Sequence, residues 1–144
     1  MHVTRDDGYL VSDDPERVDR VWVATWLAEQ SYWATDRPRD VQNRAIDHSL
    51  CFGVYAPGDS QVGFCRYVTD RATFAWLCDV FVDEHHRGLG LGVFLVQTSL
   101  AHPDLAGIRR HVLVTGTAHE LYSRFGYTTL DDVEAAKWMV LDAG

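Results

Sequence analysis

The hexad Arg87-Gly88-Leu89-Gly90-Leu91-Gly92 is the part of this chain whose residue types and spacing best suit chemistry. Three glycines at alternate positions let a backbone turn tightly and approach a ligand closely. The apolar segment after it, Val93–Leu100, has helical spacing, so the turn opens onto a helix N-terminus. Such an end presents N–H groups without intrahelical partners and the positive pole of the helix dipole, which suit a phosphate or pyrophosphate. Two common phosphate motifs do not fit. A dinucleotide fingerprint would need a small residue at Val93 or at Leu95, and no Gly-Lys-Ser/Thr tripeptide completes a Walker loop.

Other side chains invite chemical readings of their own. His85 and His86 precede the hexad, but adjacent side chains diverge and no His/Cys spacing of a metal site accompanies them, so no metal is expected. Cys78 lies inside an apolar run without a recognisable partner and reads as an inert core thiol. Asp79, next to it, is a carboxylate in an apolar run. Burial would raise its pKa and suit it to proton transfer, while a hydrogen-bonded structural role suits it equally.

These residues need elements to position them. Thr73–Val82, rich in aromatic and β-branched residues, predicts a central, largely buried strand. Alternation places Phe74, Trp76, Cys78, Val80 and Val82 on one face, with Ala75, Leu77, Asp79 and Phe81 on the other. Upstream, Leu50–Ala56 and Gln61–Thr69 flank the turn Pro57-Gly58-Asp59-Ser60 and predict a hairpin. Asp14-Pro15-Glu16 reads as a helix start, and Val18, Val21, Trp22, Trp26 and Leu27 give that helix one buried face. A second helix is expected from Arg39 to His48, joined to the first through Tyr32 and Trp33. Tyr9–Val11 is a short apolar segment. Downstream, His111–Thr115 predicts a strand, Ala118–Phe125 a short helix and Lys137–Leu141 a closing strand. The order implies an α/β (α+β) single domain spanning 1–144, with a central mixed sheet flanked by helices.

The hexad fits R/Q-x-x-G-x-G/A. Together with the strand before it and Leu121-Tyr122-Ser123-Arg124-Phe125-Gly126-Tyr127, it closely resembles the GCN5-related N-acetyltransferase (GNAT) superfamily. The resemblance is strong from Gln61 to Tyr127 and extends to the element order before that, and it implies a mostly antiparallel sheet. It further implies acetyl-CoA as co-substrate. The backbone of Val80, Phe81 and Val82 would pair with the pantetheine arm, and the amides of Arg87, Gly88, Leu89, Gly90, Leu91 and Gly92 would wrap the pyrophosphate. Tyr122 matches a tyrosine that protonates the departing thiolate. The implied chemistry is direct attack of a primary amine of a small molecule or peptide on the thioester. Tyr32, Trp33 and Trp76 would line the acceptor side, or pack in the core. Two positions depart from the family pattern. Thr115 stands where many members have Asn, and the place of a catalytic Glu falls close to Trp76, which leaves Asp79 and Glu84 as candidate bases. A non-catalytic acyl-CoA-binding module on the same fold is the alternative reading.

Bulk properties bound these expectations. The chain has 144 residues, 47% hydrophobic, 24% charged, with formal net charge -8, enough for its own core and unlike a disordered chain or a coiled coil. The acidic balance disfavours nucleic acid and anionic lipid as partners. No apolar leader or membrane span is legible. Cys51, Cys65 and Cys78 are odd in number and lie in apolar runs, as reduced core thiols do, so a cytoplasmic protein is expected. The family resemblance admits a monomer or a homodimer.

Overall fold

A computed structural model describes residues 1–143, which divide into two compact units, one of Met1–Val114 and a second from Thr115 onward. The first unit holds a six-stranded sheet in sequence order: β1 (His2–Thr4), β2 (Leu10–Ser12), β3 (Leu50–Tyr55), β4 (Gln61–Thr69), β5 (Phe74–Val82) and β6 (Arg110–Val112). Neighbouring strands are antiparallel except β5 and β6, which are parallel. The fold is therefore α/β with a mixed, mostly antiparallel sheet.

Two helices precede the central hairpin, α1 (Arg20–Gln30) and α2 (Arg39–Asp47), and α3 (Leu91–Leu100) connects β5 towards β6. The helix expected to run on from Pro15 is split. Asp14 caps only a single 3-10 turn, Pro15–Arg17, and a second cap, Asp19, accepts from Trp22 N at 3.0 Å to start α1. Two Asp caps five residues apart in sequence thus give two short elements where hydrophobic spacing alone suggests one. β1 was not legible, being three exposed residues.

The core between the sheet and α1 and α2 holds Val23, Leu27, Ala34, Ile46, Cys51, Phe64 and Phe81. Phe81 stacks on Trp26 with ring centroids 3.9 Å apart and lies 5.4 Å from Trp22. Such a pair adds about 1 kcal/mol beyond the area it buries. On the opposite side α3 packs Leu91, Leu95 and Val96 inward, and Tyr67 of β4 shares a 2.8 Å hydrogen bond with Ser99.

The predicted alternation along β5 fails at one point. β4 and β5 pair Phe64 with Phe81 but Arg66 with Cys78, so Asp79 and Val80 together oppose Cys65. This is a β-bulge, with Asp79 in the left-handed region at φ 52°. The extra residue puts Cys78 and Phe81 on the same face, the one covered by α1 and α2, instead of on opposite faces.

In the second unit are α4 (His119–Ser123) and α5 (Asp132–Ala135). α4 ends in a Schellman arrangement: Tyr127 N donates to Tyr122 O at 3.3 Å and Gly126 N to Ser123 O at 3.1 Å, with Gly126 at φ 94°. The closing strand expected at Lys137–Leu141 does not form. Lys137 and Trp138 still donate to Glu134 and Ala135 in the last turn of α5, Met139, Val140 and Leu141 are exposed, and no strand forms among the described residues of this unit to pair with them. Among the described residues, no helix is long and apolar enough to cross a membrane.

Candidate functional site

The glycine hexad lies where the sequence places it, between β5 and α3. Asp83 N donates to Val62 O at 2.8 Å, which holds the end of β5 against β4, and Asp83 caps the 3-10 turn Glu84–His86. Arg87 then folds back, its Nε donating to Val82 O at 3.3 Å. Gly88 and Gly90 both take left-handed φ, 78° and 71°, which L side chains adopt only with strain. A Cβ on Gly88 would meet nothing within 4 Å, so open space faces the turn. Gly90 is the N-cap of α3 and offers no side-chain acceptor to the first-turn amides. Gly90, Leu91 and Gly92 therefore present a ready anion cradle at the positive end of a ten-residue helix.

The strand leading into it is also open. β6 pairs with β5 only at Phe74, Ala75 and Trp76. No strand among the described residues pairs with that edge of β5 from Leu77 to Val82, so the edge beside the cradle stays open to an extended ligand, with Arg87 Nε on Val82 O at its end. An extended arm bearing amide groups, followed by a pyrophosphate, fits this pair of features.

Sequence reasoning missed what supports the cradle from the N-terminus. Tyr9 OH and His86 Nδ1 are 2.8 Å apart, and the Arg5 guanidinium lies 5.4 Å from the Phe94 ring. Nothing in the spacing of residues so far apart in sequence signals this contact.

Asp79 occupies the centre of the other face. Its Oδ1 accepts from Trp33 Nε1 at 2.9 Å, and its Oδ2 accepts from Arg66 Nε at 2.7 Å and Arg37 NH1 at 2.8 Å. Buried Gln42 orients the group further, accepting from Arg37 NH1 at 2.7 Å. Burial alone would raise the carboxyl's pKa, but the two guanidinium groups overcome it and hold Asp79 below its ordinary value. This corrects the expectation of a raised pKa: with both oxygens engaged and the charge stabilised, Asp79 is poorly suited to accept a proton. Its geometry suits it to fixing the α1–α2 connection, and the contact also offsets a left-handed backbone that costs on the order of 1–3 kcal/mol.

That connection carries the aromatic candidates. Ser31 Oγ donates to Leu27 O at 2.7 Å and accepts from Ala34 N at 3.0 Å, tying the segment to the end of α1. From Phe81 the rings run outward through Trp26 to Trp33, 6.5 Å apart, and on to Tyr32, 5.0 Å from Trp33 and 66% exposed. Trp76, 42% exposed, pairs with Val68 and shares the face of Arg66 and Cys78. Tyr32, Trp33 and Trp76 thus all border the Asp79 face. Glu84 is exposed, with its carboxylate 3.7 Å from His85 Nε2. Cys78 and Cys51 have thiols pushed up by burial to about 11 and about 12, as inert thiols should.

In the second unit, Tyr122 is buried, its ring 6.0 Å from that of Tyr127. Thr115 Oγ1 accepts from Ala118 N at 3.0 Å and so caps the approach to α4.

The chain is similar in sequence and fold to known proteins. The sequence profile of the Acetyltransferase (GNAT) family matches residues 18–127. A Gibberella zeae protein, provisionally named as acetyltransferase FG08082, is 33% identical over 143 residues, spanning 84% of this chain and 78% of its own length. A crystal structure from Xanthomonas campestris, assigned to the same family, superposes with TM-score 0.86 at 41% identity, covering 92% of this chain and 93% of that one. A Clostridium acetobutylicum acetyltransferase structure described with acetyl-CoA shares the fold at TM-score 0.65 and 12% identity, over 94% and 95% of the two chains.

Proposed function

This chain belongs to the GNAT acetyltransferase family, and we propose that its residues 1–144 act as one N-acetyltransferase domain moving an acetyl group from acetyl-CoA to a primary amine. The observation that carries the reading is the open edge of β5 running into an uncapped α3 N-terminus through left-handed Gly88 and Gly90. The Clostridium neighbour, described with acetyl-CoA, supports the choice of co-substrate.

Acetyl-CoA supplies an acyl carbon already activated as a thioester, so the chain needs no nucleophile of its own, in keeping with thiols held protonated at Cys51 and Cys78. Amides of Arg87 to Gly92 hold the pyrophosphate, while backbone groups of Val80, Phe81 and Val82 align the pantetheine arm and polarise the acetyl carbonyl. Thr115 serves as a further polar contact for the arm. Tyr32, Trp33 and Trp76 face the acceptor. Its neutral nitrogen bonds to the acyl carbon as the C–S bond breaks, the departing sulfur takes a proton from Tyr122, and Glu84 receives the amine's proton through water. Positioning supplies most of the acceleration in such a scheme.

The test is release of free thiol from acetyl-CoA in the presence of a panel of primary amines, with product mass confirming a gain of one acetyl group. Amine-dependent thiol release supports the enzyme. Tight acetyl-CoA binding without thiol release for any amine would favour a non-catalytic acyl-CoA-binding module.

A further inference from the structure

The cluster around Asp79 is not electrically balanced. Two guanidinium groups, Arg37 and Arg66, share one carboxylate, and neither makes another ion pair among the described residues. Arg66 is enclosed: its side chain is 11% exposed, its Nε is on Asp79, and its NH1 donates to Ser49 Oγ at 3.2 Å. Arg37 differs. It commits only NH1, to Asp79 and Gln42, and its side chain keeps 22% of its surface open to solvent. Its Nε–H and NH2 groups have no protein partner among the described residues, and neighbouring Asp36 forms no ion pair with it.

The excess positive charge therefore resides on Arg37, held in a fixed orientation by a buried carboxylate and a buried amide. It stands in the connection that presents Trp33 and Tyr32, and on the face that Trp76 borders. A half-buried guanidinium with free, preoriented donors recognises a carboxylate better than a neutral group does. The local charge decides this, although the chain as a whole carries -8.

We infer that Arg37 binds a carboxylate on the acceptor, so that the amine acetylated belongs to an amino acid or a short peptide with a free carboxyl group. This assignment rests on the acetyltransferase reading. Asp79 and Gln42 position Arg37, Trp33 and Tyr32 offer ring faces to the acceptor's side chain, and a carboxylate completes the charge balance. Acceptors with several amines and no acid group, such as spermidine, meet an unfavourable local field.

The experiment compares amino acids with their decarboxylated amines, tyrosine with tyramine, tryptophan with tryptamine, phenylalanine with phenethylamine and lysine with cadaverine. The measured quantity is kcat/KM for thiol release from acetyl-CoA. At least one amino acid should exceed its decarboxylated partner by about tenfold or more, the size of one charge-assisted hydrogen bond. Arg37→Gln should bring that ratio close to one, chiefly through KM for the amino acid, while the dissociation constant for acetyl-CoA stays within about twofold. Arg37→Lys, which keeps the charge without the planar donor array, should restore part of the preference, and a melting curve on each variant separates this from unfolding. Preference for the decarboxylated amines, a ratio unmoved in Arg37→Gln, or transfer to neither member of any pair by protein that binds acetyl-CoA would overturn the assignment and leave the co-substrate in place. Failure to bind acetyl-CoA would instead overturn the acetyltransferase reading, and this assignment with it.

Discussion

Replacing Asp79 by Asn keeps the shape of the side chain and removes the charge that two arginines share. Arg66, almost fully enclosed, is then left as a buried cation without a counter-ion. Breaking a buried pair in this way costs about 3–5 kcal/mol, and the retained amide oxygen places this variant near the lower end, about 3 kcal/mol. For a chain of this length that lowers Tm by about 10 °C. Because Asp79 is held below its ordinary pKa, the pair's contribution is complete above the unfolded value near ~4 and is lost as pH falls through the folded value. The difference between wild type and Asp79→Asn should therefore be full at neutral pH and shrink in acid. Urea unfolding followed by tryptophan fluorescence across that range measures both. Arg66→Met in the same background should cost less than the sum of the single changes, since the second substitution removes the uncompensated charge. A variant within about 0.5 kcal/mol of wild type at neutral pH, or a difference that does not change with pH, would refute this account of Asp79.

Three further outcomes are expected. Tyr122→Phe should lower kcat by about a hundredfold with acetyl-CoA affinity within about twofold, because it removes a proton donor and little binding surface; steady-state kinetics beside calorimetry checks this. Gly88→Ala should cost about 1 kcal/mol in unfolding free energy, since Gly88 has φ 78°, and should weaken acetyl-CoA binding measured by titration. Native protein at pH 7.5 should react slowly with iodoacetamide at Cys51 and Cys78, whose thiols sit near 12 and 11, and all three cysteines should label quickly in urea, as mass spectrometry would show.

The cradle was legible because its signals are local. Glycines at fixed spacing, an apolar strand before them and a helical period after them constrain one another within twenty-five or so residues, and Gly126 marks the end of α4 in the same way. The hairpin of β3 and β4 was legible for similar reasons, with Pro57 and Gly58 at its turn. What stayed hidden depends on residues distant in sequence. Asp79 meets Arg66 and Arg37 across separations of 13 and 42 residues, and no spacing rule reports that. A hint existed: Arg66 interrupts the apolar run of β4 as Asp79 interrupts that of β5, and two opposite charges in neighbouring buried strands ask for each other. The bulge was hidden because alternation continues on either side of it, and only the register with β4 exposes the extra residue. Lys137–Leu141 failed in the other direction, since β propensity without a partner strand does not make a strand.

Titration calorimetry of the purified chain with acetyl-CoA, beside CoA and ATP, tests the central claim most directly. The account predicts one site for acetyl-CoA of micromolar affinity, about -8 kcal/mol, weakened in Gly88→Ala and absent for ATP. Heat with ATP, or no binding of acetyl-CoA or CoA at millimolar concentration, would contradict it and return the turn at Gly88 and Gly90 to another phosphate ligand or to a structural role.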